Sequence, residues 1–317
     1  MTNPFLFIVG CPRSGTTLLK RIVDAHPQIA ITGHGPKIIR WFERREGLTP
    51  EGFITPELAE KGPILKFMSP QEFSGLVRQM LDAGRPISYA SLISHMLDRC
   101  AEARGKRFVG HKAMSTGHKV RSRVRQIPTL HSLWPQAKFV HIIRDGRDVC
   151  LSVMDWRKAG SLAEGFATWT EDPVTTAALW WGWQVRLARE DGSALGPELY
   201  CEIRYEALVI HPEAECRALC AFLGVPYNGA MIRFHEGRMK TDPGLDAKHA
   251  WLPPTPGLRD WRKQMPPEDV ERFEAAAGDL LDELGYPRGA QDLSPKTVEY
   301  AAQFRGRFDG HPLPQHW

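Results

Sequence analysis

The sequence is short of several things. Its 317 residues hold six cysteines (Cys11, Cys100, Cys150, Cys201, Cys216 and Cys220), and no two of them form a C-x-x-C pair. The one close pair, Cys216 and Cys220, has helical spacing in an apolar helix pattern. This argues against a disulfide framework and against a zinc site. It fits a reducing compartment, with most of the cysteines acting as small core residues. Charge of one sign is also scarce: 41 Lys and Arg stand against 37 Asp and Glu, a formal net charge of +4 with no run of like charge. That balance suits a small anionic ligand and falls short of a nucleic-acid surface. No apolar run approaches the length that spans a bilayer. The apolar stretch at residues 5–9 is too short for a secretory signal and runs straight into a glycine loop. The expectation is a cytoplasmic protein with no nucleic-acid or membrane partner and nothing missing ahead of its first strand. Internal repeats and low-complexity linkers are absent as well.

What is present points to an α/β protein. Hydrophobic residues make up 42% of the chain, enough for a sizeable core. Short runs rich in Val, Ile and Phe at residues 5–9, 108–110, 138–143 and 199–203 lack strict alternation, as in parallel strands covered on both faces. Helical patterns occupy residues 15–25, 73–81, 92–103, 148–157, 175–189, 213–223 and 267–284. Their alternation with the strands predicts a three-layer, P-loop-like fold with a central, mainly parallel sheet flanked by helices. One domain is expected over residues 1–290. It carries a Gly- and Pro-rich cap insertion at about 43–70 and a long loop over the active face at about 240–256. Residues 291–317 form a C-terminal extension with one helix at 295–304, either an added surface helix or the arm of a homodimer. The run Trp180-Trp181-Gly182-Trp183 reads as a core-packed helix.

The strongest feature is Gly10-Cys11-Pro12-Arg13-Ser14-Gly15-Thr16-Thr17, which follows a strand and opens a helix. Its skeleton is the phosphate-cradling G-x-x-x-x-G loop, whose N–H groups and helix dipole favour an anion. The usual G-K-[ST] ending has become Gly15-Thr16-Thr17, so the lysine that reaches the β- and γ-phosphates of a nucleoside triphosphate is missing. Arg13 puts a cation inside the loop instead, and a planar guanidinium can clamp two oxygens at once. A P-loop small-molecule kinase is the alternative reading. The absent lysine, and the absence of a clear Mg²⁺-binding Asp beside the loop, count against it.

At these residues the chain resembles the superfamily of sulfotransferases that use 3′-phosphoadenosine 5′-phosphosulfate (PAPS), above all its bacterial and tyrosylprotein sulfotransferase-like branch. The stretch FIVGCPRSGTTLLKRIVDAHP resembles that family's 5′-phosphosulfate segment, which implies that Arg13, Ser14, Gly15, Thr16 and Thr17 hold this group. The stretch PQAKFVHIIRDGRDVCLSVMDW resembles its 3′-phosphate segment, where an arginine ends a strand and a serine stands eight residues on, here Arg144 and Ser152. A strand end places Arg144 at the carboxyl edge of the sheet, where α/β ligands bind. The segment IRYEALVIHPEAECRALCAFLGVP matches a third element, which implies that Tyr205 lies near the nucleotide. The stretch LRDWRKQMPPEDVERFEAAAGDLLDELGYP resembles a segment that closes over the cofactor, making Arg259 and Arg262 candidate phosphate contacts.

The resemblance implies in-line transfer of a sulfuryl group from PAPS to a hydroxyl or amine of a small-molecule or peptide acceptor. The product is 3′-phosphoadenosine 5′-phosphate (PAP), and no metal is needed. The catalytic base departs from the family pattern. A glutamate in a Gly-Glu step usually serves, and this chain reads Gly33-His34 there. Histidine can do the same work. A second candidate base is His111, in Gly110-His111-Lys112, where Lys112 matches the lysine that steadies the leaving phosphate or the sulfonate. The replaced glutamate also leaves open a non-catalytic protein that binds PAPS or PAP.

Overall fold

The computed structural model describes residues 3–32, 38–61, 68–82, 84–113, 126–155, 166–236 and 252–310. Strands β1 (Leu6–Val9), β2 (Ile29–Thr32), β3 (Phe108–Lys112), β4 (Lys138–Ile143) and β5 (Tyr200–Arg204) form one sheet in the order β2-β3-β1-β4-β5. Every pairing is parallel, with Leu6 opposite both Gly110 and Lys138, Ile29 opposite Phe108, and Phe139 opposite Tyr200. From β1 the chain moves out to one edge and returns through β3. It then crosses to the other side of β1 for β4 and β5. That reversal opens a crevice at the carboxyl ends of the strands beside β1.

The helices are α1 (Thr16–Asp24), α2 (Ile38–Arg44), α3 (Pro56–Lys61), α4 (Pro70–Asp82), α5 (Tyr89–Glu102), α6 (Gln126–Leu133), α7 (Gly146–Met154), α8 (Pro173–Ser193), α9 (Tyr205–Ile210), α10 (Pro212–Leu223), α11 (Trp261–Gln264), α12 (Pro267–Glu283) and α13 (Pro295–Gly310). Leu19, Ile22 and Val23 of α1 pack with Leu219 and Leu223 of α10 on the sheet face carrying Leu6, Ile8, Val140 and Ile142. Residues Leu92, Ile93, Met96 and Leu97 of α5 cover the opposite face, with Phe7, Val109 and Phe139. Strands buried on both sides need no polar alternation, which is why they read as continuous apolar runs.

A third apolar cluster joins α7, α8, α12 and α13 around Trp180, Trp181, Phe273, Phe304 and Phe308. The helix expected at 295–304 runs on to residue 310 and packs against α12 and α8. Its Phe308 stacks on Phe166 at 4.8 Å between ring centroids. The aromatic run in α8 is core, as read from the sequence: Trp180 and Trp181 are both fully buried. The strand at 108 extends two residues further than its sequence pattern shows, to Lys112, and the last strand starts and ends one residue later. Helix α7 begins at Gly146, earlier than the apolar periodicity indicates, because Asp145 caps it by accepting a hydrogen bond from Arg147 N.

Candidate active site

Strand β3 ends in a residue that the sequence marks for the site, Lys112, and β1, β4 and β5 lead directly into others: the glycine loop, Arg144 and Tyr205. The loop after β1 is shaped by two glycines. Gly10 has φ +153°, and a Cβ there would lie 2.6 Å from the Ile142 carbonyl oxygen. Gly15 has φ +96°, and a Cβ there would lie 2.5 Å from the Tyr205 ring. Between them Arg13 takes φ 74°, a region that non-glycine residues enter at a cost and that is found where function demands it. Arg13 Nε donates to Ser152 Oγ at 3.0 Å. Burial, then the neighbouring charges of Arg259 and Arg144, lower the pKa of the Arg13 guanidinium. Ser14 is buried under the loop, its N–H donating to the Cys11 carbonyl at 3.1 Å. Helix α1 opens from Gly15 with no side-chain cap and no acidic residue in its first turn. Its first N–H groups are therefore left for an anion.

Lys112 is the last residue of β3 and is buried. Its Nζ donates to Thr17 Oγ1 at 3.2 Å. Burial first, with the charges of Lys20 and Arg21 adding to it, brings its pKa down to about 8. His111 lies next to it in β3, also buried, with Nδ1 2.8 Å from Thr32 Oγ1. Burial first, then Lys20 and Lys112, lowers its pKa to about 4. His111 does not line the pocket. His34 lies outside the described residues.

Arg144 follows β4 directly. Its guanidinium stacks over Tyr205 at 4.2 Å. It donates to the Arg13 carbonyl and to Asp148 Oδ2, each at 3.4 Å. Its Nε is buried with no hydrogen-bond partner. The rest of the turn is engaged elsewhere. Trp181 Nε1 donates to the Arg144 carbonyl at 3.2 Å, and Asp145 N donates to Glu206 Oε1 at 2.9 Å. Asp148 accepts from Trp261 N at 3.0 Å. Burial raises the pKa of the Asp148 carboxyl to about 6 against the pull of Arg144. The turn holds internal Arg–Asp pairs, and they are buried rather than solvated.

The pocket gathers Arg13, Thr16, Thr17, Arg144, Ser152 and Tyr205, with Gly15 and Arg259 completing the predicted residues that line it. Arg259 reaches it while pairing with Asp155. Arg262 does not: it is exposed and lies against the Trp261 ring at 4.5 Å, because α11 turns it outward. Leu252, Pro253 and Thr255 form part of the wall; residues 240–251 of the loop predicted at 240–256 lie outside the described residues. Arg21 and Leu18 also line it. The signal for Arg21 is its place one helical turn beyond Thr17, which an apolar reading of α1 passes over.

The sulfotransferase family matches residues 4–229 of this chain. The chain belongs to the sulfotransferase family. Protein-tyrosine sulfotransferase A of Caenorhabditis elegans is 26% identical to this sulfotransferase over 298 residues, covering 91% of this chain and 69% of that one. Human protein-tyrosine sulfotransferase 1 is 25% identical over 319 residues, covering 96% and 77%. The Drosophila melanogaster protein-tyrosine sulfotransferase is 25% identical over 300 residues, covering 89% of this chain and 52% of its own. The chain thus spans only about half of the Drosophila relative. The sulfotransferase domain of the Synechococcus PCC 7002 olefin synthase has the same fold, with a TM-score of 0.53 at 21% identity over 99% of this chain and 96% of that one. The sulfotransferase described here accordingly takes its sulfuryl group from PAPS. Its pocket fits that donor: an uncapped helix start, a glycine loop and a buried arginine with an unpartnered Nε are groups that suit an anion.

Proposed function

We propose that residues 13–17 hold the 5′-phosphosulfate of PAPS, that Arg144 and Ser152 hold its 3′-phosphate, and that Tyr205 and Arg259 flank the nucleotide. One observation carries this reading. Arg144 stacks on Tyr205 and donates to Arg13 and Asp148, yet keeps a buried Nε without a partner beside the glycine loop. A buried donor left unpaired costs free energy, and a ligand oxygen would recover it. The acceptor oxygen attacks sulfur in line with the bridging oxygen. The S–O bond to the phosphate breaks, and PAP leaves with the electron pair. Arg13 and Lys112 offset charge on the transferring group, and the acceptor proton goes to His34. Relatives named protein-tyrosine sulfotransferases support a phenolic hydroxyl on a peptide as the first acceptor to test. All six cysteines are unpaired, which supports a reducing compartment and with it a cytoplasmic protein.

Titration calorimetry tests the donor site. PAP is expected to bind far more tightly than ATP, with equal affinity in EDTA and in Mg²⁺, since the pocket supplies its own cations. Metal-dependent ATP binding stronger than PAP binding would overturn the assignment. Transfer of labelled sulfate from PAPS to tyrosyl peptides, compared with small phenols and alcohols, tests the acceptor class.

A further inference from the structure

Between Arg144 and Asp148 stands a second arginine, Arg147, which is fully buried and does not line the pocket. Its Nε donates to Asp145 Oδ1 at 3.0 Å, and its Nη2 donates to Asp145 Oδ2 at 2.8 Å and to the Pro287 carbonyl at 2.9 Å. Its Nη1 donates to Glu274 Oε1 at 2.5 Å. The Trp261 ring covers its flat face at 3.6 Å. Glu274, equally buried, accepts from Gly289 N at 2.7 Å and from Ala290 N at 3.2 Å. Apart from Asp145, all of these partners lie in residues 261–290, beyond the end of the family match at residue 229.

A buried ion pair of this kind adds little net stability, because desolvation offsets the attraction. What it does fix is geometry, since a guanidinium fork meets two carboxylates and a carbonyl in only one orientation. Asp145 follows Arg144 in the chain, and Ser152 stands on the same helix, α7. A shift in the first turn of α7 therefore moves both proposed 3′-phosphate contacts together. The N–H groups at the start of α1 belong to another element, which α7 and Arg144 reach through Arg13 and Tyr205.

We propose that Arg147 is a positioning residue for the nucleotide: it clamps the first turn of α7 to residues 261–290 and so holds Arg144 and Ser152 where they read the 3′-phosphate. This rests on the reading of Arg144 given above. The C-terminal helices then take part in donor recognition without touching the donor.

PAPS and adenosine 5′-phosphosulfate differ only in the 3′-phosphate, so their affinities separate positioning from general damage. Arg147→Lys keeps the charge and loses the fork. Glu274→Gln keeps the shape and loses the charge. Calorimetry on both variants is expected to show PAPS binding weakened about 10-fold, adenosine 5′-phosphosulfate binding unchanged within about twofold, and a native near-UV circular dichroism spectrum. Unchanged PAPS affinity in both variants overturns the proposal. So does an equal loss for the two ligands, or loss of the fold in both variants, since Arg147 would then be a pillar of the core only. Arg144→Ala is the separate arm. If it weakens both ligands equally, the 3′-phosphate reading itself fails, whatever Arg147 does.

Discussion

A histidine can take a proton from an acceptor hydroxyl only if it is neutral, near and basic enough at the working pH. His111 meets the first condition and fails the third. Burial brings its pKa to about 4, and its Nδ1 is engaged with Thr32. We expect His34→Ala to lower kcat by roughly 10²–10⁴-fold with little change in PAPS affinity. His111→Ala, the matched control, should keep most of the turnover per folded molecule. The pH profile of kcat/KM separates the two. With His34 as base, the rate rises through the ordinary imidazole range near about 6.5. It falls again as Lys112, held at about 8, loses its proton and its ability to steady the transferring group. An acid limb near 4 would instead name His111. The residues that gather around the pocket were legible in the sequence because glycine spacing and a strand-end arginine have one local meaning. Arg147 was not, since nothing within RDGRD tells the arginine that faces the pocket from the one that faces Glu274. That distinction is made by an acid 127 residues away.

At the scale of elements, the C-terminal helix α13 is structural. Its Phe304 and Phe308 are fully buried against the cluster around Trp181 and Phe273. Phe304→Ala is expected to cost about 3–5 kcal/mol, the usual range for emptying an aromatic site in a packed core. Urea denaturation of that variant checks it, and a loss below about 1 kcal/mol would show that the helix rides on the surface. The periodicity of α13 was visible over ten residues, but its low overall hydrophobicity hid how firmly it docks. Strand β2 shows the opposite problem. Four residues, Ile29-Ala30-Ile31-Thr32, are too few to stand out by pattern, and their strand character comes from pairing with β3. The Gly- and Pro-bearing stretch at 240–256 stands out in the sequence. That Leu252, Pro253 and Thr255 share a pocket wall with Leu18 and Arg21 of α1 is recorded by no local rule.

For the molecule as a whole, burial of neutral imidazoles sets the response to acid. Burial holds His111 at about 4 and His141 at about 3, both below the ordinary 6.5. The unfolded chain therefore takes up these protons first. The corresponding stability is complete above pH 6.5 and drains away as the pH falls toward 4. Asp148 works the other way: held at about 6 against an ordinary 3.8, it gains stability on protonation within that window. Two histidine shifts outweigh one aspartate shift, so the urea midpoint is expected to fall between pH 6.5 and 4.5. A midpoint that rises over this range would show that the carboxylates dominate.

The contact between Gly15 and the Tyr205 ring, and the clamp from Arg147 to Glu274, also carry a consequence for how the protein is made. A ribosome delivers the glycine loop well before the tyrosine that walls it, and the groups that fix Glu274 arrive later still, at residues 289 and 290. Until then the nascent polypeptide carries the glycine loop without its full walls. Full donor affinity is thus expected only once residue 290 has been made, and a polypeptide released before Tyr205 carries the signature loop without the ring that walls it.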